Sequence, residues 1–150
     1  MNRDFKDLIA ELNAQGVEFI VVGAHALAAH GYVRATQDLD IWIRPSLNNA
    51  QKVIIALKSF GAPLHDLTED DLTNEDVVFQ VGLPPIRIDI LTAIDGVSFG
   101  EAWEDRFHTK FSGLPISVLS KPLLLKNKRA SGRKQDLADV ERLENPEDTE

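Results

Sequence analysis

The chain reads as a mixed α/β (α+β) domain, a mixed β-sheet flanked by helices, and three observations predict it. Short β-branched runs alternate with segments of helical period, and Gly or Pro closes most of them. A chain of 150 residues with 43% hydrophobic content can bury one compact core. Strand and helix alternate early and two strands follow each other later, so α/β crossovers are expected first and antiparallel pairing afterwards. The expected organisation is a single domain over 1–144 and an acidic disordered tail over 145–150.

Phe5, Leu8, Ile9 and Leu12 fall at i, i+3, i+4 and i+7 ahead of Gly16, the pattern of an opening amphipathic helix. Residues 17–22 form a β-branched run that stops at Gly23, and 24–30 are helix formers up to the breaker Gly31. Residues 38–43 predict a second strand ending at Pro45. Ser46 then caps a helix whose Val53, Ile54, Leu57 and Phe60 share a face before Gly61. Two further strands, 77–83 and 86–91, flank Gly82-Leu83-Pro84-Pro85 and read as a hairpin. Trp103 and Phe107, four apart, are expected in the core on a short helix. A last strand at 116–119 leads to Ser120 and Pro122, which open a helix through Arg129. Gly132 divides it from a closing helix containing Leu137, Val140 and Leu143.

Composition excludes several classes. The chain has no cysteine, which removes disulfide scaffolds, thiol nucleophiles and thiolate zinc sites. No apolar run reaches the roughly 20 residues of a membrane span, and the first residues lack the pattern of a secretory signal, so a cytoplasmic protein is expected. The net charge of −8 argues against non-specific coating of nucleic acid. That charge is unevenly placed. Residues 65–76 hold six acids and no Lys or Arg, whereas 121–134 hold Lys121, Lys126, Lys128, Arg129, Arg133 and Lys134 and no acid. Each run is compatible with a solvated face, and the basic one also with a surface for phosphate or an RNA backbone.

Three carboxylates break the apolar pattern. Asp38 and Asp40 lie at i and i+2 in a strand, so both share a face with Trp42 while Leu39, Ile41 and Ile43 point the other way. Two like charges side by side raise each other's pKa unless a wet edge or a cation relieves them. Asp89 is again the lone acid in an apolar strand. An all-oxygen set of this kind suits Mg²⁺ or Mn²⁺ better than zinc, and two such ions can clamp the oxygens of a phosphoryl-type transfer. Gly23 permits a close backbone approach at the end of the first strand, where a following helix offers N–H groups to an anion. Arg34 and Thr36 precede the acid pair by four and two positions, bringing a guanidinium and a hydroxyl toward the same place.

Taken in order, Val22-Gly23-Ala24-His25-Ala26-Leu27, Arg34-Ala35-Thr36-Gln37-Asp38-Leu39-Asp40-Ile41 and Arg87-Ile88-Asp89-Ile90-Leu91 resemble the minimal nucleotidyltransferases of the DNA polymerase β superfamily. The closer likeness is to the abortive-infection and toxin–antitoxin type, and the more distant one to the aminoglycoside nucleotidyltransferases. The segment from Asn127 to Asp139 is similar to the closing helices of such proteins. The resemblance implies a polymerase-β-type core with closing C-terminal helices. It implies that Gly23 and the Ala24 amide bind phosphates, that Asp38, Asp40 and Asp89 are catalytic and hold two Mg²⁺ ions, and that Asp89 helps deprotonate an acceptor hydroxyl. Arg34 would steady the triphosphate, with Thr36 beside it, and Lys126 or Lys128 would reach the phosphates from the far side. Ala24 stands where the family usually has a second Gly or Ser, which removes a hydroxyl contact and leaves the N–H.

The expected reaction moves an NMP from an NTP to an acceptor hydroxyl on RNA or tRNA, a protein or a small molecule, in a toxin–antitoxin or phage-defence setting. The competing expectation is a weakly catalytic or non-catalytic antitoxin that keeps the fold as a binding surface for its cognate partner. Antibiotic modification, with the 65–76 acids facing a polycationic drug, ranks third. His25 and His30 are five apart and do not form an i, i+4 metal pair, and a surface role is expected for His25. Trp42 is expected to pack, and Asp136 and Asp139 to belong to a solvated i, i+3 charge pattern. No serine sits in a nucleophile motif.

Overall fold

The computed structural model describes residues 3–82 and 87–145. The expected turn residues Leu83, Pro84 and Pro85, and all of the expected tail beyond Asn145, lie outside them. The order is α1 (Arg3–Ala14), β1 (Phe19–Val22), α2 (Ala24–Ala29), β2 (Asp38–Ile43), α3 (Leu47–Phe60), a 3₁₀ turn (Asp71–Thr73), β3 (Val78–Val81), β4 (Arg87–Leu91), α4 (Phe99–Glu104), β5 (Phe107–Phe111), β6 (Leu114–Val118), α5 (Lys121–Ser131) and α6 (Lys134–Glu144). The strands form one mixed sheet in the order β3-β4-β2-β1-β6-β5.

Alternation along the strands sorts two cores. Phe19 and Val21 of β1, Leu39, Ile41 and Ile43 of β2, and Ile88 and Ile90 of β4 pack on one face with Phe5, Leu8 and Leu12 of α1 and Val53 and Leu57 of α3. Ile20, Val22 and Trp42 point to the other face, where they meet Leu27, Phe99, Leu123, Leu124 and Leu143 from α2, α4, α5 and α6. Trp42 is buried edge-on against Phe99, as expected for a packing residue. Ser46 caps α3 by accepting from the Asn49 amide, and Gly61 ends it in a left-handed conformation.

Three expectations are corrected. The early strand–helix–strand unit is no parallel crossover, because β1 and β2 are antiparallel neighbours, and the parallel pairs are β2 with β4 and β1 with β6. The six residues of α2 rise only about 9 Å, too little to return the chain along a six-residue strand of about 20 Å. Trp103 and Phe107 share no helix, since α4 ends at Glu104 and Phe107 opens β5 with 44% of its surface exposed. The strand β5, Phe-His-Thr-Lys-Phe, is itself unexpected. As a largely exposed edge strand, paired among the described residues with β6 alone, it lacks the apolar run that marks buried strands.

Candidate active site

The site begins with the register between two parallel strands. β2 and β4 pair so that Asp40 lies beside Asp89 and Asp38 beside Arg87, all on the face opposite Leu39, Ile41, Ile88 and Ile90. The three carboxylates thus share one face, while among the described residues one guanidinium stands against them, Arg87 Nε at 3.6 Å from Asp38 Oδ1. On the outer side of β4, Gln80 of β3 faces Asp89. Burial, then the charges of Asp89 and Asp38, push the Asp40 carboxyl up to about 6, against the pull of Arg87. Asp89 is also raised, first by burial, with Asp38 adding to it and Arg87 opposing. Its Oδ1 is buried without a hydrogen-bond partner.

Gly23 explains how a backbone turn fits against such a pair. It caps α2 at φ +71, and a Cβ there would collide with the Asp40 carboxylate. Glycine is therefore required twice, for the conformation and for the space. His25, two residues on, is wedged between the rings of Phe5 and Phe111, contrary to the surface role expected. Burial holds its pKa below the ordinary value, with a hydrogen bond to the Asp38 backbone opposing.

A cleft of about 410 Å³ opens beside Asp40. Gly23 and Asp40 form one wall. Asn127, Lys128, Ser131, Arg133 and Asp136, from the end of α5 and the start of α6, form another. Behind that wall lies a buried charge network. Lys128 Nζ donates to Asp136 Oδ1 at 3.2 Å and to Asp139 Oδ2 at 2.9 Å. Ser131 and Arg133 also donate to Asp136, and Arg34 and Gln135 to Asp139. Burial alone would push both carboxyls up, but these hydrogen bonds outweigh it and hold both below the ordinary carboxylate range. Asp136 and Asp139 are thus no solvated pattern: Asp139 is completely buried. The i, i+3 spacing of acids behind a Lys/Arg run is the one sequence signal that marks them.

Of the expected residues, the cleft brings together Gly23, Asp40 and Lys128. Ala24 begins α2 directly behind Gly23, and Asp38 and Asp89 stay with Asp40 on the sheet. Arg34, Thr36 and Lys126 go elsewhere. Arg34 is committed to Asp139 and lies over the Tyr32 ring, and the Thr36 hydroxyl accepts from the Asp38 amide at 3.1 Å. Lys126 Nζ pairs with Glu101 at 2.8 Å. The basic run is largely neutralised, because Arg129 pairs with Glu144 and Arg133 with Asp136. Arg87 and Gln80 went unsingled in the sequence, although Arg87 is two residues from Asp89 and so on its face. A smaller hollow of about 180 Å³, lined by Trp103 and His108, lies at the opposite end of β1, near Phe19, away from the carboxylates.

The donor set is all oxygen, Asp40 and Asp89 are adjacent and under-neutralised, and Asp89 Oδ1 is orphaned, which fits a hard cation at this pair. The third carboxylate is engaged differently. Among the described residues no three acid or histidine side chains converge into a ready metal cluster, and Asp38 faces Arg87 instead.

Fold and site together define a class: a mixed-sheet α+β domain with an adjacent carboxylate pair, one of whose members, Asp40, lines a cleft walled on its other side by the C-terminal helices. Two solved structures carry the particular likeness. One is TM1012 from Thermotoga maritima, provisionally a nucleotidyltransferase, with TM-score 0.58 and 16% identity over 97% of this chain and 89% of that one. The other is the lincosamide antibiotic adenylyltransferase LnuA bound to lincomycin, with TM-score 0.58 and 14% identity over 97% of each chain. No family model matches the chain, and no curated protein matches it by sequence. The expected mixed-sheet fold is therefore present.

Proposed function

We propose that the chain is a Mg²⁺-dependent nucleotidyltransferase that moves an NMP from an NTP to an acceptor hydroxyl and releases pyrophosphate. The observation that carries this reading is the Asp40–Asp89 pair, adjacent across parallel strands, with Asp40 pressed against Gly23 at the mouth of a cleft. Asp40 and Asp89, joined by Asp38, would hold the metal ions, which supply charge neutralisation on the phosphates and activate the attacking oxygen. Gly23 and the Ala24 amide contact the phosphates, while Lys128, committed to Asp136 and Asp139, braces the facing wall. Asp89 would help deprotonate the acceptor hydroxyl. Arg34 and Thr36 act at a distance, fixing the segment that enters β2. The setting we propose is cytoplasmic, in a toxin–antitoxin or phage-defence pair, with RNA, a protein or a small molecule as acceptor. The likeness to an antibiotic adenylyltransferase supports adenylyl transfer as the reaction class and selects no acceptor.

Labelled NTPs, Mg²⁺ and RNA, protein or small-molecule acceptors test this directly. Transfer is expected from the wild type and lost in Asp38→Ala and Asp89→Ala, and transfer that survives both substitutions overturns the mechanism. The pairing of Asp38 with Arg87 favours a second reading, a non-catalytic antitoxin that keeps the fold as a binding surface. Calorimetric titration with Mg²⁺ and a non-hydrolysable NTP separates the two, since absence of binding selects the partner role.

A further inference from the structure

The nucleotidyltransferase reading leaves open which guanidinium meets the phosphates, and on that reading we propose that it is Arg133 and not Arg34. Three arginines approach the region; Arg87 is turned to Asp38 on the sheet and does not line the cleft, and the fold treats the other two differently. Arg34 is spent on the interior: its Nη2 donates to the fully buried Asp139, its guanidinium lies 5.3 Å from the centre of the Tyr32 ring, and it does not line the cleft. Arg133 lines the cleft, and its side chain is 79% exposed. It is nonetheless held. Nε donates to Asp136 Oδ2 at 2.9 Å, and Asp136 is in turn fixed by Lys128 and Ser131. Among the described residues only that Nε is engaged, so both terminal nitrogens remain for a ligand.

The backbone supports the same aim. Gly132 ends α5 at φ +67, and Arg133 is the extended residue that opens α6, so the side chain starts from a fixed point on the wall facing Gly23 and Asp40. Lys128 cannot substitute for it as the solvent-reaching cation, since its side chain is 7% exposed and both neighbours of its ammonium are carboxylates. An anionic ligand entering beside Asp40 and Asp89 needs positive charge, and a guanidinium tethered by one nitrogen presents the planar fork that matches polyphosphate oxygens. Asp136 is then the positioning residue, acting through Arg133.

The experiment measures Mg²⁺-dependent binding of each of the four NTPs, and of the corresponding nucleosides, to the whole chain by calorimetry, with circular dichroism to establish folding. Arg133→Gln is expected to fold and to weaken NTP binding about 10–100-fold, the worth of a charge-assisted hydrogen bond, while nucleoside binding changes little. Arg133→Lys recovers part of the loss. Arg34→Gln is expected to lower the melting temperature and to cost less NTP affinity than Arg133→Gln. A folded Arg133→Gln that binds NTP within about twofold of the wild type overturns the proposal alone, as does an Arg34→Gln of unchanged melting temperature that loses more affinity. A wild type that binds none of the four NTPs overturns the nucleotidyltransferase reading beneath it as well.

Discussion

Two groups of acids meet at one cleft, through Asp40 on the sheet and Asp136 on the helices, and are solved in opposite ways. On the sheet, Asp38, Asp40 and Asp89 face one guanidinium, Arg87, and the carboxyls of Asp40 and Asp89 are pushed up. On the helices, Asp136 and Asp139 meet Lys128, Arg34 and Arg133 with Ser131 and Gln135 besides, and both are held down. The helical group is complete in itself and braces the fold. The sheet group has less compensation among the described residues, which is what sets the proposed site apart from a structural network.

The largest test breaks the braced side. Lys128→Met strands two buried carboxylates and is expected to cost about 3–5 kcal/mol in urea unfolding, because removing one partner of a buried pair leaves charge uncompensated. A loss under about 1 kcal/mol would show that water already reaches the network. Gly23→Ala comes next, at about 1–3 kcal/mol, since positive φ strains the residue and its methyl drives into Asp40. The same variant should lose nucleotide binding even where it stays folded. Asp40→Asn has the opposite sign: it removes a carboxylate that resists ionisation and should stabilise the metal-free chain at pH 8 by roughly 1–2 kcal/mol, allowing for screening at its exposed edge, while abolishing transfer.

The smallest effect is the pH profile of the metal-free chain. Asp40 is raised to about 6, so its contribution is fully present below the ordinary carboxylate pKa and is lost as pH rises through 6. Asp136 and Asp139 are lowered, so theirs is present above the ordinary value and is lost as pH falls toward their depressed pKa values. Thermal melts from pH 3 to pH 8 should therefore fall at both ends. Asp40→Asn should flatten only the upper limb, and a variant that flattened the lower one instead would reverse the assignment.

The same contrast explains what the sequence discloses. Asp38, Asp40 and Asp89 stand out because a carboxylate in an apolar strand violates the pattern around it, and Gly23 because a strand ends there. Asp136 and Asp139 carry no such mark, since two acids on a helix among Lys and Arg look the same whether water or a buried ammonium satisfies them. Their partner Arg34 is 105 residues from Asp139, a separation that no local spacing reveals. Arg87 was readable from its two-residue offset to Asp89, but its partner depended on the β2–β4 register. That register joins residues 49 apart, and the chain's local preferences do not set it.

The tie between Asp139 and Arg34 also orders events in time. As a chain emerges from the ribosome amino end first, Gly23, Asp40 and Asp89 can pair before α6 exists, whereas Arg34 and Lys128 must wait for a carboxylate on that helix. A nascent chain thus holds one half of the cleft, acidic and without its counterpart. On the function proposed above, nucleotide capture would wait for α6.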